Sequence, residues 1–130
     1  MLVVESSHSS THVYPVFNNF VLTEGVRRLD VGGKLLTKML AKMISFKQIR
    51  MEDYFHTIGK MKEQVCYVED NCAKALENHQ KANCFYVLPD PDINRPGYMT
   101  LEKDDTGVLQ MLKLSKERFL IPEALFQPPM

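Results

Sequence analysis

"VRRLDVGGKLLTKMLAKMI", residues 26–44, changes its hydrophobic period half-way along. Val26 to Val31 reads as a strand entered through Gly25. After Gly32-Gly33, the apolar residues Leu35, Leu36, Met39, Leu40, Met43 and Ile44 recur at spacings of three and four. That pattern predicts one buried face of a helix of about three turns. Lys34, Lys38 and Lys42 fall on the other side. They read as a basic contact stripe or, more simply, as a solvated helix face.

Upstream of this junction the chain reads as β-structure. Leu2–Val4, Val13–Phe17 and Phe20–Leu22 are short runs rich in β-branched and aromatic residues, with Asn18-Asn19 as a turn signal. With Val26–Val31 they predict an antiparallel meander. Downstream, a second helix is expected to start near Glu52-Asp53 and to bury Phe55, Ile58, Met61, Val65 and Val68. Gly59 lies within it, at a cost of about 1 kcal/mol relative to Ala. A short third helix is expected over Asn71–His79, with Cys72, Ala75 and Leu76 on a narrow buried edge. Cys84–Leu88 reads as a strand ended by Pro89, and Val108–Leu114 as its partner. The stretch from Asp90 to Gly107 reads as loop, and "PEALF" as the opening of a helix with Pro122 in its first turn.

The 130 residues suit one small domain or one piece of a larger fold, and the short strand set with a helix start near the end favours a piece. Formal net charge is zero, which speaks against strong direct nucleic-acid binding. Cys66, Cys72 and Cys84 form no C-x-x-C pair, so neither a zinc site nor a disulfide framework is expected, but buried free thiols in a reducing compartment. No apolar run approaches the ~20 residues of a membrane span, and the start lacks a signal-peptide pattern. An intracellular, soluble protein without a membrane partner is expected.

The chemistry concentrates in "ESSHSSTH", Glu5 to His12. A Ser/His nucleophile pair needs an orienting third group and an oxyanion hole, which neighbours in one tight turn do not supply. A phosphate-binding turn is better motivated, since backbone N–H groups and hydroxyls can face an anion. Such loops favour glycine, and this one has none. On chemistry alone a polar hairpin turn is the simplest reading. Gly32-Gly33-Lys34, at a strand-to-helix junction, is a second and weak anion-site candidate.

In order along the chain, strand–"ESSHSSTHVYP"–strand, "RRLDVGGKLLT", "KEQVCYVED", "YVLPD" and "ERFLIPEALFQP" resemble the actin family. Conventional actins carry D-S-G-D-G-V-T-H, R-L-D-L-A-G-R-D-L-T, K-E-K-L-C-Y-V, Y-E-L-P-D and E-R-F-R-C-P-E-A-L-F-Q-P at the same places. "VGGKLLT", "ISFKQI", the acids after "VCYV" and the long Pro91–Gly107 segment, where conventional actin has a tight hairpin, resemble a nuclear actin-related branch of that family.

The resemblance implies an α/β fold, with α+β character in this stretch: part of the second domain of an actin-like, ribonuclease H-like ATPase fold. Residues 1–31 would be strands of the larger subdomain, carrying a degenerate second phosphate hairpin. Residues 32–121 would form the small helical subdomain with a branch-specific loop at 90–107. Residues 122–130 would begin a helix returning to the larger subdomain.

It also implies a degenerate nucleotide site. Glu5 stands where actin has the Asp near the metal, Ser6 where it has Ser, Ser7 and Ser9 where it has Gly, and His8 where it has Asp. His12 matches the His near the attacking water, Gly33 the adenine-side glycine, and Lys62 and Glu63 the pair near the base. Gly59 replaces a nucleotide-holding Arg, and Lys34-Leu35 replaces Arg-Asp. No catalytic or metal-binding residues are expected, and no cofactor is fixed; ATP stays open for the intact protein. The implied function is a non-catalytic scaffold subunit of a chromatin-remodelling, histone-variant-exchange complex. It would bind protein subunits and meet the nucleosome only indirectly, in the nucleus with the cytoplasm as a second compartment. The alternatives are a conventional ATP-binding cytoskeletal actin and a partial chain with no independent function.

Overall fold

The computed structural model describes residues 1–128; the last two residues of the "QPPM" tail lie outside the described residues. Two antiparallel sheets, four α-helices and two short 3-10 turns are formed among the described residues. In the first sheet, β1 (Leu2–Ser6) pairs with β2 (Thr11–Phe17), from Leu2 opposite Pro15 to Ser6 opposite Thr11. Asn18 and Asn19 both take positive φ, 49° and 64°, and turn β2 into β3 (Phe20–Val21). Asparagine tolerates that left-handed region, and two such residues make the hairpin turn whose twist matches paired strands.

The expected meander is corrected at the fourth strand. β4 (Arg27–Leu29) does not extend the sheet beyond β3 but returns to β2, with Thr11 opposite Leu29 and Val13 opposite Arg27. β3 is too short to cover its neighbour, pairing only with Val16 and Phe17. The rest of that edge of β2 is therefore left for β4. The buried Thr11 hydroxyl then donates to the Val31 carbonyl at 2.7 Å, fixing where the chain leaves the sheet.

The helix expected after the glycine pair is α1 (Gly33–Lys47), which buries Leu36, Thr37, Leu40, Ala41 and Ile44 and leaves Lys34, Lys38 and Lys42 in solvent. α2 (Phe55–Val65) begins after Glu52-Asp53, which sit in a turn ahead of it, and buries Ile58, Met61 and Val65. Val68, expected on its stripe, lies past its end and is exposed. α3 (Cys72–Glu77) is capped by Asn71, whose side chain accepts from the Lys74 N–H. It buries no residue, so the narrow buried edge expected there is not formed. The thiols are likewise only partly buried: Cys84 is enclosed, Cys66 and Cys72 half-exposed, and all three are free.

The second sheet has β5 (Cys84–Val87) at its centre, with β7 (Met111–Leu114) on one side as expected. On the other side lies β6 (Tyr98–Thr100), inside the stretch read as loop. Gly97 leads into it and lies against the Tyr86 ring, where an added Cβ would collide. Pro91, Pro96 and Gly97 hid a three-residue strand too short to show a period. Cys84 and Tyr86 stand opposite Leu114 and Leu112, and these four pack with Leu40, Ile44, Ile58, Met61, Val65 and Ile121 into one core.

The helix expected to open at Pro122 opens earlier. α4 runs Glu117–Glu123 and holds Pro122 near its end. Proline cannot donate to the carbonyl four residues back, that of Arg118. The Tyr67 N–H, at 3.0 Å, takes that carbonyl instead. The hydrogen bond that Pro122 forgoes becomes the tie between α4 and the segment after α2.

Glu117 is buried at the start of α4. Its carboxylate accepts from Lys47 Nζ at 2.6 Å and from the Ser115 N–H at 2.9 Å. Burial alone would push this carboxyl up. Hydrogen bonds from Lys47, from the Ser115 N–H and from its own N–H outweigh burial and hold it below the usual range. A group depressed in the folded state stabilises above its unfolded value, near 4.3, and that stability is lost as pH falls through the folded value. Glu117→Gln is expected to lose about 2 kcal/mol at pH 7, less than a fully enclosed pair because Lys47 is partly solvated. Its loss should shrink in acid. Melts at pH 7 and pH 3.5 compare the two proteins, and an unchanged difference would exclude this role.

Candidate functional site

The hairpin between β1 and β2 closes on itself before it meets anything else. The Ser7 N–H and hydroxyl both donate to the Ser10 carbonyl at 2.9 Å, and the Ser6 and Thr11 hydroxyls share a bond of 3.0 Å. The turn then lies across the start of α1. The Gly33 N–H donates to the Ser7 carbonyl at 3.1 Å, and the Lys34 N–H to the His8 carbonyl at 2.8 Å. A helix leaves its first N–H groups without intrahelical partners, and here the hairpin backbone supplies two of them. The N-cap residue Gly32 brings no side chain to the task.

Gly32 explains the close approach. An added Cβ would stand 2.5 Å from the Ser7 carbonyl oxygen and 2.7 Å from that of His8. Its φ of −156° is extended backbone open to any residue, so contact and not torsion demands glycine. At Gly33 an added Cβ would stand 3.3 Å from Lys62 Nζ and 3.5 Å from His8 Nδ1. The hairpin tip and α2 thus converge on this one backbone position. Lys62 Nζ donates to the Gly33 carbonyl and to the Thr37 hydroxyl, both at 3.0 Å, and Thr37 donates to the Gly33 carbonyl at 2.9 Å.

The structure therefore brings Ser7, His8, Gly33 and Lys62 together. Glu5 and His12 face each other across the strand pair, behind the turn. Ser6 is turned to Thr11, and Ser9 is exposed at the tip. Glu63 is exposed and lies 4.0 Å from Lys60, away from the group around Gly33. Ser10, Thr11 and Thr37 escaped the sequence reading. Thr37 ends the "RRLDVGGKLLT" block one helical turn after Gly33, and that spacing is the signal that could have found it. Burial pushes the Cys66 thiol up to about 11 despite nearby Lys62 and Arg118, so it is no nucleophile at neutral pH.

Comparison with protein families matches the description "Actin" over residues 1–57 and 53–130, the whole chain between them. The chain belongs to the actin family. It is 40% identical over 131 residues to the actin-like protein ARP6 of Yarrowia lipolytica. It is 33% identical over 136 residues to actin-related protein 6 of Drosophila melanogaster, and 31% over 155 residues to that of Arabidopsis thaliana. Each match covers 98% of this chain but only 34–37% of the relative, so the chain spans about a third of those proteins. The fold is accordingly a partial actin-like α/β fold.

The hairpin contains no glycine, and its Ser7 and His8 carbonyls face α1. Gly59, inside α2, has nothing within 4 Å of where a side chain would start. No helix among the described residues is long and apolar enough to cross a membrane.

Proposed function

We propose that this stretch belongs to a non-catalytic actin-related subunit that binds and scaffolds protein partners in a nuclear chromatin-remodelling assembly of the histone-variant-exchange type. One observation carries the non-catalytic part: a hairpin without glycine whose carbonyls already hold the first N–H groups of α1. A γ-phosphate in that place would need donors, and the Ser7 N–H and hydroxyl are already given to the Ser10 carbonyl. The longer Glu5 side chain also displaces a carboxylate whose distance to metal and water matters. The nuclear and chromatin part rests on the likeness to the actin-related branch. ATP, if bound by the intact protein, would act as a structural ligand.

The convergence of Gly33 and Lys62 favours one second reading, a conventional ATP-binding, filament-forming actin, because a base-binding edge would need both. Phosphate release by the purified full-length protein separates the two. No turnover above that of His12→Ala is expected, and ATP-dependent pelleting or turnover that His12→Ala abolishes would favour the second. For the scaffold role, replacing residues 101–109 with a Gly/Ser linker should release partner subunits in a pull-down. Retention of every partner would count against it. A deletion of the whole 91–107 stretch is unsuitable, because it removes β6 from the sheet.

A further inference from the structure

A cleft of about 620 Å³ lies between the α1–α2 connection and the turn after β5. Its wall includes Ile49, Tyr54, Leu88 and Pro91, together with Arg50 and Arg95. Neither guanidinium has a carboxylate partner among the described residues, and Arg95 Nε is buried with no hydrogen-bond partner. A buried donor left unmade costs about 1–3 kcal/mol and calls for a reason. Asp90 also lines the cleft, but its carboxylate already accepts the Asp92 N–H at 3.0 Å. Paired 2.9 Å backbone bonds between Asp90 and Arg95 pin the turn, so Arg95 leaves from a fixed backbone. Tyr54 on this wall is 58% exposed, so the cleft opens to solvent beside an aromatic ring.

We propose that this cleft is a docking groove for an acidic segment of a partner protein with an apolar anchor. The assignment rests on charge complementarity. Two arginines with no ion-pair partner among the described residues, in one concave site whose wall also carries Ile49, Tyr54, Leu88 and Pro91, match carboxylates flanking an aromatic or aliphatic side chain. Exposed tyrosine and arginine are among the residue types that carry interface energy. The proposal deepens the reading of the protein as a binding subunit and rests on it.

The test titrates full-length protein into a fluorescein-labelled peptide, Asp-Glu-Asp-Phe-Asp-Glu-Asp, read by anisotropy. Controls replace its acids with Asn and Gln, or its Phe with Ala. Each control is expected to bind at least tenfold more weakly. Arg50→Ala and Arg95→Ala are each expected to weaken the parent peptide fivefold or more, while Lys38→Ala on the exposed face of α1 stays within twofold. Arg50 is exposed, so its variant tests the groove even where Arg95→Ala disturbs the turn. Equal binding of the acidic and amide peptides, or insensitivity to Arg50→Ala, would overturn the proposal. So would a dimer, seen by sedimentation, that Arg50→Ala dissolves and the peptide cannot displace, since that assigns the groove to a second copy. Failure of the peptide with partners still lost from the linker variant rejects the groove alone; partners retained there reject the wider reading.

Discussion

Arg118→Ala is expected to weaken the small helical unit by about 3 kcal/mol, the largest single side-chain effect outside the core. Arg118 donates from Nε to the Val65 carbonyl and from Nη1 to the Ala82 carbonyl, each at 2.9 Å, and stacks 5.0 Å above the Tyr67 ring. Val65 ends α2, so its carbonyl is one of those a helix cannot satisfy by itself, and the positive charge suits the negative end of that helix. Truncation strands two acceptors at about 1 kcal/mol or more each and removes a cation–π contact of about 0.5–1 kcal/mol. The full-length protein need not unfold in one step, so native-state amide exchange is the suitable measurement. Amides at the end of α2 are expected to exchange roughly a hundredfold faster. Arg118→Lys should recover less than half of the loss, because an ammonium lacks the planar fork that reaches both carbonyls. Unchanged exchange in Arg118→Ala would mean that packing of Phe119 and Ile121 alone holds α4.

Gly32→Ala and Gly59→Ala are expected to move stability in opposite directions. At Gly32 the new methyl meets two backbone carbonyl oxygens that cannot rotate away. The hairpin must lift from α1 and its two hydrogen bonds go with it, a loss of about 2–3 kcal/mol. At Gly59 nothing lies within 4 Å, and the position is interior to α2. Alanine there should gain about 0.5–1 kcal/mol by restricting the unfolded chain. Paired melts read both signs, and Gly33 and Lys34 amide exchange reads the hairpin directly. A neutral Gly32→Ala would show that the hairpin is not seated on α1.

Much of this was legible in advance, for identifiable reasons. Leu36, Leu40 and Ile44 repeat over enough turns for period to speak, and Asn18-Asn19 is a turn signal with a mechanism. The family likeness was carried by ordered blocks and needed no geometry. What failed were features decided by partners. β4 chose β2 because β3 ended early, which no local pattern records. β6 is three residues long between proline, glycine and loop. Pro122 was read by its preference for the first turn, yet here the Tyr67 N–H excuses it from the last. In the candidate site, "ESSHSSTH" drew attention through its side chains. Its strongest contacts to α1 are made by the Ser7 and His8 carbonyls, which every residue possesses and no sequence advertises.

That backbone contact makes the hairpin an intramolecular competitor for the start of α1. Tethered by the strand pair, its carbonyls are held at a high effective concentration that no free ligand matches by mass action. An anion seeking the Gly33 and Lys34 N–H groups must first displace them, at a cost of about 2 kcal/mol, or roughly thirtyfold in affinity. The concentration of a free anion is then a weak lever on the start of α1, and a movement of the β1–β2 strand pair is a strong one.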